Sequence, residues 1–301
     1  MAAAIQVQNL TKTYGSKTAL EGLSLIIEPG QIFGFLGENG AGKTTTIKLL
    51  LGLIHPSAGE IQLFGCSLTR HRSQLMRRVG ALVEAPSYYG HLTARQNLRI
   101  LALMRGLPEA TIGKALDTVG LGEVLDVKVN TFSHGMCQRL GIAMAILGEP
   151  ELVILDEPTN GLDPSGIRSI RQLIKRLPEQ FGTTVLVSSH LLVEVEQVAT
   201  QIGILKQGAL IFEGTLNRLR EQVASFVQIQ TQNPHLAAEI LGSNGFEFNL
   251  EDGQVKVKAS ASEVDTLTRL MIAGDIPIQG IRAEAPHLED LYFKLMGKDL
   301  P

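Results

Sequence analysis

With 301 residues, 44% of them hydrophobic and 19% charged, the chain has the composition of an ordinary soluble globular protein and enough length for two domains. Its formal net charge of −3 leaves no basic footprint, and from residue 222 onward 11 acidic side chains stand against 6 basic ones, which argues against nucleic acid or anionic lipid as a direct ligand of that part. No apolar run approaches the roughly 20 residues of a membrane-spanning helix, "MAAAIQVQNL" lacks the layout of a signal peptide, and Cys66 and Cys137 have no C-x-x-C spacing, so the expectation is a reduced, cytoplasmic chain.

In chain order, "IQVQNL", "LSLIIE" and "GEIQLFG" alternate apolar with polar residues between glycine, proline or serine. They predict half-buried strands of an antiparallel patch. "QIFGFLG", "ELVILDEP", "GTTVLVSSH" and "QIGILKQG" are apolar on both faces instead, the pattern of parallel strands covered by helices. Residues 94–128 read as helical by 3.6-residue spacing, within a helical insert spanning about 90–150. After "GALIFEGTLNRLREQ" the character changes to short strands with helical stretches at 234–243 and 261–273. The predicted domains are thus an α/β unit over 1–221 and a small α+β unit over 222–301.

The first strand of the second kind runs directly into "GENGAGKTT", where Gly37, Gly42, Lys43 and Thr44 match G-x-x-x-x-G-K-[ST] in the required strand, loop, helix context. In such a phosphate-binding loop the backbone N–H groups of Gly37, Glu38, Asn39, Gly40, Ala41 and Gly42 wrap the phosphates, Lys43 reaches the β and γ groups, and Thr44, followed by Thr45, presents a hydroxyl to magnesium. A nucleotide and Mg2+ are therefore the expected ligands. "ELVILDEPTNGLD" delivers Asp156 and Glu157 at a strand end, Asp156 to hold the metal and Glu157 to act as general base toward water.

As a set, these residues resemble the ATP-binding subunit of an ABC transporter, and the similarity covers roughly residues 4–220. The resemblance implies an ABC-type P-loop ATPase fold: a RecA-like core, an antiparallel β subdomain and a helical subdomain, here followed by the small α+β domain. It places Tyr14 of "LTKTYGSKTAL" against adenine, Asp163 of "NGLDP" in the loop that crosses a dimer interface, and His190 of "VLVSSH" at the γ-phosphate and attacking water. "FSHGMCQRL" stands where the family has its signature loop, usually LSGGQ; Ser133 and Gly135 fit, whereas His134 and Met136 replace glycine and glutamine. The family closes that loop over the ATP of a second subunit, so a dimer, expected to be of identical chains, is implied. His134 itself reads as a partly exposed loop histidine.

Aligned to the family, "VGALVEAPSYYGHLT" puts Glu84 at the end of a buried-looking strand where a glutamine is usual, and a full carboxylate there is expected to bind magnesium more strongly than an amide. With the S-x-G-M-x-Q-R signature, this is similar to the bacitracin-type and lantibiotic-immunity exporters. That narrower resemblance implies a separate membrane permease of about six helices, a location at the cytoplasmic face of the cell membrane, and hydrophobic or amphipathic cargo. Tyr88 and Tyr89 are candidates for docking that permease or for packing in the helical insert. Near the C-terminus Leu288, Leu291, Tyr292 and Leu295 share one helical face, as core or dimer packing requires. A soluble ABC ATPase acting on ribosomes or nucleic acid, and an importer ATPase, are the competing functions.

Overall fold

The computed structural model of the protein describes residues 2–221, 226–251, 254–284, 291, 292, 295 and 296. It divides into two compact units, Met1–Thr215 and Leu216–Pro301, so the division falls six residues before the expected one.

The first unit opens with β1 (Ile5–Tyr14), β2 (Lys17–Ile27) and β3 (Ile32–Gly37), the last of which leads into α1 (Lys43–Leu50). Next come β4 (Ala58–Leu63), β5 (Cys66–Ser67), α2 (Leu68–Leu75) and β6 (Val79–Leu82). The helices α3 (Ala94–Arg105), α4 (Ala110–Thr118) and α5 (His134–Ile146) precede β7 (Leu152–Asp156), α6 (Pro164–Phe181) and β8 (Thr184–Ser189). The unit closes with α7 (Leu192–Glu196), β9 (Gln201–Lys206) and β10 (Ala209–Gly214).

Two sheets result. The alternating segments form the antiparallel sheet β2-β1-β4-β5, and the segments apolar on both faces form the six-stranded sheet β10-β9-β3-β8-β7-β6. In the latter β9, β3, β8, β7 and β6 run parallel and β10 is an antiparallel edge. Every residue of β3, β7 and β8 is buried, which is why their sequences show no polar alternation. One apolar cluster, built on Leu98, Leu116, Leu140, Leu155 and Val185, joins the helices to one face of that sheet. A second, with Phe33, Phe35, Ile47, Leu49 and Ile154, fills the space between the other face, α1 and the antiparallel sheet.

Two expectations are corrected. The helical reading of 94–128 breaks into α3, α4 and a 3-10 turn at Gly122–Val124, because Gly106 and Gly120 take left-handed backbone that ends each helix. Likewise the strand before Glu84 stops at Leu82; Glu84 lies beyond it at φ 60°, exposed rather than buried, where solvent and the Lys48 ammonium at 2.7 Å satisfy its carboxylate.

The second unit contains α8 (Leu216–Glu221), β11 (Phe226–Thr231), α9 (Pro234–Ser243), β12 (Phe248–Glu251), β13 (Gln254–Lys258), α10 (Val264–Ala273) and β14 (Ile278–Glu284). Its antiparallel sheet has the order β12-β13-β11-β14, a split β-α-β-β-α-β arrangement with α9 and α10 packed through Leu241, Leu267 and Met271. Of the apolar face expected near the C-terminus, Leu288 lies outside the described residues, Leu291 and Tyr292 are buried and Leu295 is half-buried.

Candidate active site

Because β3, β8 and β7 are adjacent and parallel, their C-terminal ends bring three loops to one edge of the sheet, the place where open parallel sheets bind ligands. Leu36 pairs with Ser189 and Asp156 with Ser188, so the three strands finish nearly level. The loop after β3 turns into α1 at Gly42, whose φ of 111° favours glycine. A Cβ there would stand 2.7 Å from Leu20 Cδ2 and 2.8 Å from Ala19 O, so space demands glycine as well.

The loops border a cleft of about 870 Å³, roomy enough for a nucleotide, lined by Tyr14, Glu38, Asn39, Gly40, Gly42, Lys43, Thr44, Thr45, Glu84, Asp156, Glu157 and His190 among others. Gly37 contributes its carbonyl, which accepts a 2.6 Å bond from Lys43 Nζ. Ala41 is buried and its N–H donates to Glu38 O at 3.1 Å, which closes the turn of the loop. Tyr14 is 49% exposed with the Lys12 ammonium 4.9 Å from its ring centroid, so an aromatic surface stands open at the cleft.

At the cleft floor, Thr44 Oγ1 donates to Asp156 Oδ2 at 3.0 Å, which sets a hydroxyl and a carboxylate side by side. These are hard oxygen donors of the kind magnesium takes alongside substrate phosphates, and among the described residues no group of three or more His, Cys, Asp or Glu forms a separate metal cage. Glu157 follows at φ 49°, a left-handed conformation that costs a non-glycine residue roughly 1–2 kcal/mol. Its carboxylate is held on both sides, Oε1 by Lys43 Nζ at 3.2 Å and Oε2 by His190 Nδ1–H at 2.6 Å.

The ABC transporter family profile matches residues 20–160. The bacitracin transport ATP-binding protein BcrA of Bacillus licheniformis is 39% identical over 99% of this chain and 98% of its own length. The chain belongs to the ABC transporter ATP-binding protein family. The lantibiotic transport ATP-binding protein SrtF of Streptococcus pyogenes is 41% identical over 69% of this chain and 90% of its own length. A solved ATP-binding cassette, a dimer in a post-hydrolysis state bound to ADP and Pi, superposes with a TM-score of 0.65 at 26% identity, over 70% of this chain and 98% of that one. The protein is thus an ABC ATPase.

Not every expected site residue of this ABC ATPase reaches the cleft. Ser133 and Gly135 lie at the start of α5, where the Ser133 hydroxyl caps the helix by accepting the Met136 N–H at 3.3 Å. Asp163 caps α6: it accepts from the Ser165 hydroxyl at 2.8 Å and the Gly166 N–H at 3.1 Å, and these bonds hold its carboxyl below the usual carboxylate range. None of the three lines the cleft of its own chain. Glu84 does line it, but its carboxylate accepts a 2.7 Å bond from Lys48 Nζ, and this bond raises the Lys48 pKa above its ordinary value.

Sequence reading passed over three supporting residues. Ser188 Oγ donates to Asp156 Oδ1 at 2.6 Å and accepts the Glu157 N–H at 2.9 Å, so one hydroxyl holds the Asp156 carboxylate and the backbone at Glu157. Glu194 Oε2 accepts from Thr159 Oγ1 at 2.6 Å and Ser189 Oγ at 2.9 Å, tying the loop after Glu157 to the loop of His190. Lys48 sits one turn beyond Thr44 on α1, on the same helical face. The detectable signal was the serine pair ending the apolar run "VLVSS", since a polar residue at the end of a buried strand needs a partner.

Proposed function

We propose that this ABC ATPase powers an exporter, as one of two copies attached to a separate membrane permease at the cytoplasmic face of the cell membrane, and that the cargo is a hydrophobic or amphipathic compound of the bacitracin or lantibiotic kind. The observation that carries the proposal is the match to the bacitracin transport protein over 99% of the chain, which extends through the second unit as well as the cassette. A further support is a second cleft of about 670 Å³ bordered by Leu53, Met76, Tyr88, Tyr89, Ile100 and Met104, with Leu53 56%, Tyr89 56% and Met104 79% exposed. Aromatic and methionine side chains gathered on an open surface suit the docking of a permease helix. The neighbouring Cys137 thiol of α5 raises the Tyr88 pKa, so that ring also faces the helical insert.

In the proposed mechanism, Tyr14 stacks on adenine and the loop 37–42 wraps the phosphates with N–H groups. Lys43 pairs with the β and γ phosphates. Thr44 and Asp156 would hold Mg2+, with Glu84 supplying a further carboxylate oxygen. When bound, the metal neutralises charge that develops on the transferring phosphate. Glu157 takes a proton from the attacking water, and His190 holds the Glu157 carboxylate and the γ-phosphate in one geometry. Ser133, Gly135 and Asp163, which lie away from the cleft of their own chain, complete the site of a second subunit, so ATP binding closes the dimer and hydrolysis reopens it.

The test is to isolate tagged Glu157→Gln protein with ATP from membranes of its own cell. Recovery of a polytopic membrane protein is expected. Ribosomes or nucleic acid with no membrane protein would overturn the exporter role and leave the ATPase alone.

A further inference from the structure

His134 occupies the position where the usual signature loop has glycine, and the structure gives its ring a definite contact. It is the first residue of α5, exposed, and its Nε2–H donates to the backbone carbonyl of Asn160 at 3.2 Å. The ring also fills the space over Gly161: a Cβ on that residue, whose φ is 74°, would stand 3.0 Å from His134 Nε2. Beside it, a Cβ on Gly135 would lie 3.7 Å from Leu162 Cδ2. Together these put the start of α5 directly on the loop that follows Glu157.

That loop is a pair of tight turns built on the catalytic glutamate. The Asn160 N–H donates to Glu157 O at 3.1 Å, and the Leu162 N–H donates to Thr159 O at 3.2 Å. Its first half is pinned from the side of β8 and α7, where Glu194 accepts from Thr159 Oγ1 at 2.6 Å. His134 pins the second half from the side of α5. The left-handed backbone of Glu157 persists only where its surroundings over-determine it, and both pins contribute to that. A glycine at 134 has no side chain and removes one of them.

We propose that His134 is a positioning residue that ties the signature helix to the Glu157–Asn160 turn of its own chain, and so fixes the catalytic carboxylate on one side and Asp163 on the other. The consequence for turnover rests on the proposed role of Glu157 as base, and the contact itself is testable without it.

The experiment uses the full chain as wild type, His134→Ala, His134→Gln and Ser133→Ala, with two readouts: amide hydrogen exchange, and the kcat and KM of ATP hydrolysis. Alanine keeps the helix start and deletes the ring, whereas glutamine retains an N–H donor that reaches a comparable distance. His134→Ala is expected to speed exchange of the Asn160 and Leu162 amides and to lower kcat, each by roughly two- to tenfold, with KM for ATP unchanged. His134→Gln is expected to restore both toward wild type. Unchanged exchange in His134→Ala, or a glutamine variant no better than alanine, overturns the proposal. Unaltered turnover in Ser133→Ala, with the His134 effect on exchange present, overturns the role of the signature turn at a second subunit while leaving the His134 contact standing.

Discussion

His190 Nδ1 and Glu157 Oε2 are 2.6 Å apart, and the opposite oxygen of the same carboxylate is 3.2 Å from Lys43 Nζ. Three loops that follow three different strands therefore meet on one side chain. Since a carboxylate only accepts, both neighbours donate to it. That places the carboxylate between the lysine proposed to receive phosphate and the imidazole proposed to orient the reaction, a geometry that suits the proposed proton abstraction from water.

Replacing Glu157 with Gln removes the proton acceptor and keeps the shape. Nucleotide binding, followed with a fluorescent ATP analogue, is expected to stay within a few-fold of wild type, whereas phosphate release falls by roughly 10²-fold or more. Turnover near the wild-type rate would remove Glu157 from the chemistry.

Ser188→Ala strips a partner from Asp156 Oδ1 and from the Glu157 N–H at once. Leaving such buried groups unpaired costs about 1–3 kcal/mol, visible as a lower urea midpoint at unchanged slope. A midpoint equal to wild type would mean that solvent or another group takes over both bonds.

The Lys48–Glu84 pair is exposed, 36% and 64% by side chain, so its direct worth to folding is below about 1 kcal/mol. Lys48 has a raised pKa in the fold, so its contribution is complete below the ordinary lysine value and is lost as the pH climbs through the folded one. Glu84→Gln should accordingly leave stability at pH 7 nearly intact and instead raise the MgCl2 concentration needed for half-maximal ATP hydrolysis. An unchanged magnesium titration would separate Glu84 from the metal.

Arg78 clamps Glu151 with two bonds of 2.6 Å, which hold the Glu151 carboxyl below its usual range, and stacks on Phe64 with its guanidinium carbon 3.9 Å from the ring centroid. A lowered carboxylate pKa stabilises the fold above the ordinary value and ceases to do so as pH falls through the lowered one. The stability gap between wild type and Glu151→Gln, small at pH 7 because both groups are half exposed, is expected to close as the pH falls through the lowered Glu151 value. A gap that persists in acid would assign the effect to packing.

Much of the site was legible because its parts are local. "GENGAGKTT" is a loop whose chemistry depends on consecutive N–H groups and one lysine, and "LVILDEP" is a buried strand followed by two charges; neither needs a distant partner to be recognised. The same holds for the division into alternating strands and strands apolar on both faces, which became the two sheets of the first unit. Periodicity failed at 94–128, where glycines end two helices inside a run that keeps its apolar spacing. It failed again before Glu84, where apolar residues continued past the end of the strand.

By itself the sequence determined the class of fold and pointed to the candidate phosphate loop and carboxylate pair, because each rests on neighbours in the chain. Only the tertiary structure decided which distant groups meet: Ser188 on the Asp156 carboxylate and the Glu157 N–H, Glu194 on Thr159, Lys48 on Glu84 and His134 on Asn160. Those pairings join residues 26 to 36 positions apart, and they exist because parallel strands and packed helices bring their ends to one edge. No local propensity carries that information; strand order and helix packing do.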